Sequence, residues 1–158
     1  MLSFQRLAPG AGTVTVGNVL AALFTIPPSP STVYAIKRQL VDLAVAHPAG
    51  IGYLHVISPA GDITGIPSAE SRRAFGELAA ALRGQIQAVS LVFDRVGFRA
   101  AAVRAVAAGV FLAARISHPT NVASTVSDGA LWLTKHFRGT ASATQLTEAV
   151  AQLRVELR

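Results

Sequence analysis

The chain has 158 residues, a length that suits one domain around a single core. Apolar residues make up 51% of it and charged residues only 14%, which excludes a disordered segment. There is no cysteine, so disulfides, thiolate metal sites and a cysteine nucleophile are excluded as well. The net charge is +6, but the arginines are scattered. No dense basic run, glycine-arginine repeat or interleaved aromatic pattern offers a nucleic acid a surface to stack on, so no nucleic-acid partner is expected.

The segment "LSFQRLA" alternates weakly and stops at Pro9-Gly10, as a short edge strand does. "TVTVGNVLAALFTI" reads as one long strand, or as two strands broken at Gly17-Asn18 by a tight turn or a bulge. "PPSPS" fits neither regular structure and marks a loop, with Ser29 or Ser31 available to cap a helix. From Thr32 to about Ala46, Val33, Ile36, Leu40 and Leu43 recur at three and four while Lys37, Arg38 and Asp42 stay off that face. His47-Pro48 and Gly50 end this helix.

"IGYLHVI" is a buried strand. After "GDITGIPSAESRR" a second helix runs from about Ala69 to Arg83, with Phe75, Leu78, Ala79 and Leu82 on one face and Gly84 closing it. "AVSLVFD" is a further unbroken apolar strand, and a helix follows from about Phe98 to Ala114. "NVAST" is a short strand, and Ser127 is expected to cap the helix in "DGALWLTKHF". In the terminal segment Leu146, Ala149, Val150, Leu153 and Leu157 lie on one side of an amphipathic helix. That stripe must be covered by its own domain, by a second subunit in a homodimer, or by a membrane, in that order of preference.

Apolar strands alternating with helices imply an α/β fold, a sheet covered by helices with an added C-terminal amphipathic helix. The expected division is residues 1–138 as the main unit and 139–158 as a helical extension of the same domain. The longest N-terminal apolar run, "VGNVLAALFTI", is shorter than the roughly 20 residues needed to span a bilayer, and no secretory signal is evident. A cytoplasmic protein without an integral membrane segment is expected.

The strand "VLAALFTIPPSP" leading into a helix, the strands "GIGYLHVIS" and "AVSLVFD", and the ending "PTNVASTVSDGALWL" together resemble the STAS domain family. This is the fold of sulphate-transporter tails and anti-sigma-factor antagonists, and the likeness is to its sporulation-antagonist-like, STAS/SEC14-like branch. It spans about residues 12 to 137 and implies a STAS-like mixed sheet and a bacterial regulatory protein that binds another protein. Signalling members carry Asp-Ser-Ser-Gly in the loop after the third major strand, and a partner kinase phosphorylates its second Ser. Here that place reads Asp62-Ile63-Thr64-Gly65, with Ile63 in place of the first Ser.

The resemblance thus implies Thr64 as phosphoacceptor, with Asp62, Gly65 and Ser68 in the switch loop and Arg72 and Arg73 as phosphate or partner contacts. Residue chemistry supplies a second reading of the loop. Asp and Thr ahead of a helix satisfy orphan backbone amides, and Ser68 is the expected cap.

The four histidines lack metal-ligand spacing, so no metal or other cofactor is expected. His47, His118 and His136 read as loop or helix-end residues. His55, inside an apolar strand, must face a pocket, a covered face or a hydrogen-bonding neighbour. Asp94 ends the central strand at the edge where open α/β sheets bind ligands, or is a turn residue. "GAGTVTVGN" lacks the strand-before, helix-after context of a phosphate loop, and no Gly-x-Ser-x-Gly elbow occurs. Trp132 and Tyr34, on helices, are expected in the core. The chain is therefore expected to be a non-enzymatic interaction module. A SEC14-like carrier of an apolar ligand or lipid is the alternative, and an enzyme using His55 or Asp94 is a weaker third.

Overall fold

In the computed structural model, residues 2–59, 68–95, 97, 100–104 and 117–158 are described. The chain begins with three strands, β1 (Leu2–Ala8), β2 (Ala11–Val16) and β3 (Val19–Phe24). Helix α1 (Pro30–Ala46), strand β4 (Ile51–Ile57), helix α2 (Ala69–Ala81) and strand β5 (Ile86–Phe93) follow. Strand β6 (Thr120–Ala123) and helices α3 (Val126–His136) and α4 (Ala143–Glu156) complete it. Residues 100–104 are helical, in agreement with the start of the helix expected after β5; the rest of that segment lies outside the described residues.

The six strands form one mixed sheet in sequential order, β1-β2-β3-β4-β5-β6. The first three pair antiparallel, and β3 to β6 pair parallel. "TVTVGNVLAALFTI" is two strands, because Val16 pairs with Val19 and leaves Gly17-Asn18 as a two-residue turn. Gly17 has φ +57°, and a Cβ there would lie 2.0 Å from the Thr140 hydroxyl, so the turn requires glycine.

Helices α1 and α2 cover one face of the sheet, where Leu20, Phe24, Ile36, Leu40, Tyr53 and Leu82 pack. Helices α3 and α4 cover the other, around Val14, Leu23, Leu54, Leu133, Leu146 and Leu153. Burial on both faces is why β3 and β4 can be apolar almost throughout. The α4 stripe of Leu146, Ala149, Val150, Leu153 and Leu157 is buried on the chain's own sheet, the first of the three coverings open to it. No helix among the described residues is long and apolar enough to cross a membrane.

Several local expectations need correction. Helix α3 is capped by Thr125, whose extended backbone (φ −134°, ψ 153°) lets its hydroxyl accept the Asp128 N–H at 3.1 Å. Ser127 is already inside the helix and cannot take that part. The expected cap of α1 holds: of the two serines offered, Ser29 is the one, accepting the Thr32 N–H. In α2 the buried positions are Ser71, Ala74 and Leu78, with Phe75 half-buried; Ala79 is exposed, one position past the face that meets the sheet. Tyr34 is 45% exposed instead of core, because it lies one residue, or about 100°, past Val33 on the helical wheel.

Candidate functional site

At the carboxyl ends of β3, β4 and β5 the strand ladder continues for one more bond on each side. Ser58 N–H donates to the Phe24 carbonyl at 2.8 Å and Asp94 N–H to the Ile57 carbonyl at 2.9 Å. Three loops therefore leave the sheet side by side. Their bases are tied together: the Arg95 guanidinium donates to the Pro59 carbonyl at 2.9 Å, and Ser71 Oγ to the Pro28 carbonyl at 2.7 Å. Arg104 donates to the Arg95 carbonyl at 2.8 Å.

Four of the sequence-derived candidates, Ser68, Arg72, Arg73 and Asp94, stand at or beside this rim. Ser68 caps α2 as expected, its side chain accepting the Ser71 N–H at 3.1 Å. Arg72 and Arg73 follow it as exposed residues in the first turns of α2. Asp62, Thr64 and Gly65 lie outside the described residues, in the chain segment that leads into Ser68.

Asp94 sits at the end of β5 and forms an ion pair with Arg154 of α4. In open α/β sheets a ligand crevice opens where neighbouring crossover helices leave to opposite faces. Here α1 and α2, which follow β3 and β4, lie on the same face, so the rims of these two strands are not parted. The Asp94 carboxylate is instead used to fasten the C-terminal helix to the sheet edge. A cleft of about 240 Å³ adjoins the pair, lined by Val126, Thr147, Val150 and Ala151. It is smaller than the roughly 300 Å³ at which small-molecule pockets begin. A second cleft, of about 420 Å³, lies at the opposite end of the sheet and is walled partly by Gln145, Glu148 and Gln152. Neither cleft is a closed apolar chamber.

His55 is 6% exposed on the α1/α2 face of β4. Its ring stacks on Phe24 at 4.9 Å and meets Tyr53 and Phe75 edge-to-face at 5.6 and 5.5 Å. Tyr53 Oη lies 2.7 Å from His55 Nδ1. With Tyr53 donating, both buried groups are satisfied and the imidazole proton rests on Nε2. Burial among these rings lowers the His55 pKa to about 4 and raises that of the Tyr53 phenol. The imidazole is therefore neutral at physiological pH, part of the packing between sheet and helices. Among the described residues no group of three or more His, Asp or Glu side chains gathers where it could hold a metal ion.

Neither a family model, nor a curated protein, nor a solved structure matches the chain.

The feature that sequence reading missed is the outer seam between α1 and α2. Glu77, near the Tyr34 hydroxyl across the seam, raises the phenol pKa, while the nearby Arg73 opposes the shift. The Tyr34 ring, Arg73 and Glu77 are all solvent-exposed, and the seam borders the first turn of α2. The signal was present in the spacing, since Tyr34 is out of step with Val33, Ile36 and Leu40. On α3, Trp132 is half-buried against the core, and its indole stacks on His136 at 4.1 Å.

Proposed function

We propose that the chain is a non-enzymatic protein-interaction module of STAS type, switched by phosphorylation of Thr64 in the loop Asp62–Gly65. The observation that carries this reading is the exposed α1–α2 seam beside the Ser68-capped start of α2, where Arg73, Glu77 and the Tyr34 ring offer charge and apolar surface together. The groups that would have anchored an enzyme have other uses. His55 is held neutral among aromatic rings, and Asp94 is paired with Arg154.

Phosphate on Thr64 would add about −1.5 to −2 charges just ahead of a helix N-terminus, where the helix dipole and Arg73 favour an anion. That charge would draw the loop toward α2 and alter the surface that a partner meets. The test is retention of the host-cell partner by the wild type, Thr64→Ala and Thr64→Glu, with far-UV circular dichroism confirming equal folding. The expected result is that Thr64→Ala binds as the unphosphorylated wild type does, while Thr64→Glu changes partner retention at least tenfold. Equal binding by all three would remove the switch and leave the loop as a connection capped by Ser68.

A further inference from the structure

Helix α1 is apolar on two sides. Val33, Ile36 and Leu40 face the sheet and are fully buried. Tyr34, Val41 and Val45 are 45%, 38% and 79% exposed, and at 3.6 residues per turn they fall within about 40° of one another, roughly a third of a turn round from the buried face. Beside this stripe, on the flank away from the sheet, stand Arg38 and Asp42, neither with a partner among the described residues. They are four apart, but with the cation toward the N-terminus, the poorer order for an ion pair within one helix.

We propose that this face of α1 is a homodimer interface, occupied by α1 of a second copy lying antiparallel across it. The spacing is self-complementary. The midpoint between Tyr34 and Val45 lies half a residue from the midpoint between Arg38 and Asp42, so one two-fold axis near that point serves both pairs. It sets Tyr34 on Val45 of the second copy and brings Arg38 to the level of Val41 and Asp42 of the second copy. A two-fold axis between antiparallel helices keeps each flank facing its own counterpart. Arg38 and Asp42 share a flank, so two intermolecular Arg38–Asp42 pairs close beside the apolar stripe.

This inference stands on α1 alone and holds whether or not Thr64 is a switch; because Tyr34 also lines the α1–α2 seam, the second copy and a heterologous partner compete for that ring. It also relocates the dimer surface from α4, whose apolar stripe is buried in the chain's own core. One helix pair falls short of the roughly 1,200 Å² of a standard interface. The dimer therefore forms in the micromolar range and dissociates on dilution.

The test is sedimentation velocity of the full chain over a concentration series, with Arg38→Asp, Asp42→Arg and an equimolar mixture of the two. Both substituted positions lie on the outer side of the helix, and circular dichroism checks that each variant is folded. The wild type should approach the dimer mass at several hundred micromolar. Each single variant, which sets like charges against each other, should weaken association at least tenfold. The mixture should regain it, because position 38 of either chain then meets the opposite charge at position 42 of the other. A wild type that stays monomeric throughout, single variants that dimerise as the wild type does, or a mixture no tighter than its components would each overturn the proposal.

Discussion

Asn18 joins three loops through one side chain. Its Nδ2 donates to the Gly50 carbonyl at 3.1 Å, and its Oδ1 accepts the Thr140 N–H at 3.0 Å. Replacing it with Ala leaves two backbone groups without partners, a loss expected to cost about 2–3 kcal/mol in urea unfolding. His55 gives a pH dependence of definite sign. Its folded pKa of about 4 lies below the unfolded value near 6.5, so the unfolded chain binds the proton more readily between them. The His55 contribution to stability should be constant above pH 6.5, fall as pH drops toward 4, and lose about 3 kcal/mol over that window. Unfolding free energies of the wild type and His55→Gln across the range check this; the variant should lack the slope. The sequence indicated that His55 faces a pocket, a covered face or a hydrogen-bonding neighbour, because it stands in an unbroken apolar strand. It did not reveal the ring partners, since Phe24 and Phe75 come from other elements. Tyr34 was misjudged by type: an aromatic ring suggested the core, while its wheel position pointed outward.

Elements were the most legible level, for physical reasons that can be named. Both faces of β3 and β4 are buried, so they carry no polar alternation, and α4 keeps its stripe in step over three turns. Cap positions were less legible where several candidates stood together. Thr125 and Ser127 stand two residues apart at the start of α3, and only backbone torsion selects Thr125. Close packing was not legible at all. A Cβ on Gly129 would lie 2.4 Å from Val92 Cγ2 and 3.0 Å from Ser90 Oγ, so α3 rests on β5 through a glycine. Gly129→Ala should lower stability by about 1–3 kcal/mol through overpacking, although alanine favours the helix by about 1 kcal/mol. Leu153→Ala, which empties a fully covered site between α4 and the sheet, should cost about 2–5 kcal/mol. Thermal melts of both variants measure these losses.

For the whole molecule, the sequence pattern implied a helix-covered sheet but not the order of its strands. Sequential order with α1 and α2 on one face follows from where each crossover lands, which no local pattern records. At the end of β5 the Asp94 carboxylate meets Arg154 of the returning C-terminal helix, a pairing that no local pattern records either. Among the described residues, the surface on which the proposed function rests is the α1–α2 seam beside the start of α2. The most direct test of an interaction module is native and intact mass spectrometry of the protein purified from its own host. The account predicts a complex with another protein and one phosphate mapped to Thr64. A phosphate-free chain carrying only a bound lipid or other apolar small molecule would contradict it and identify a carrier instead.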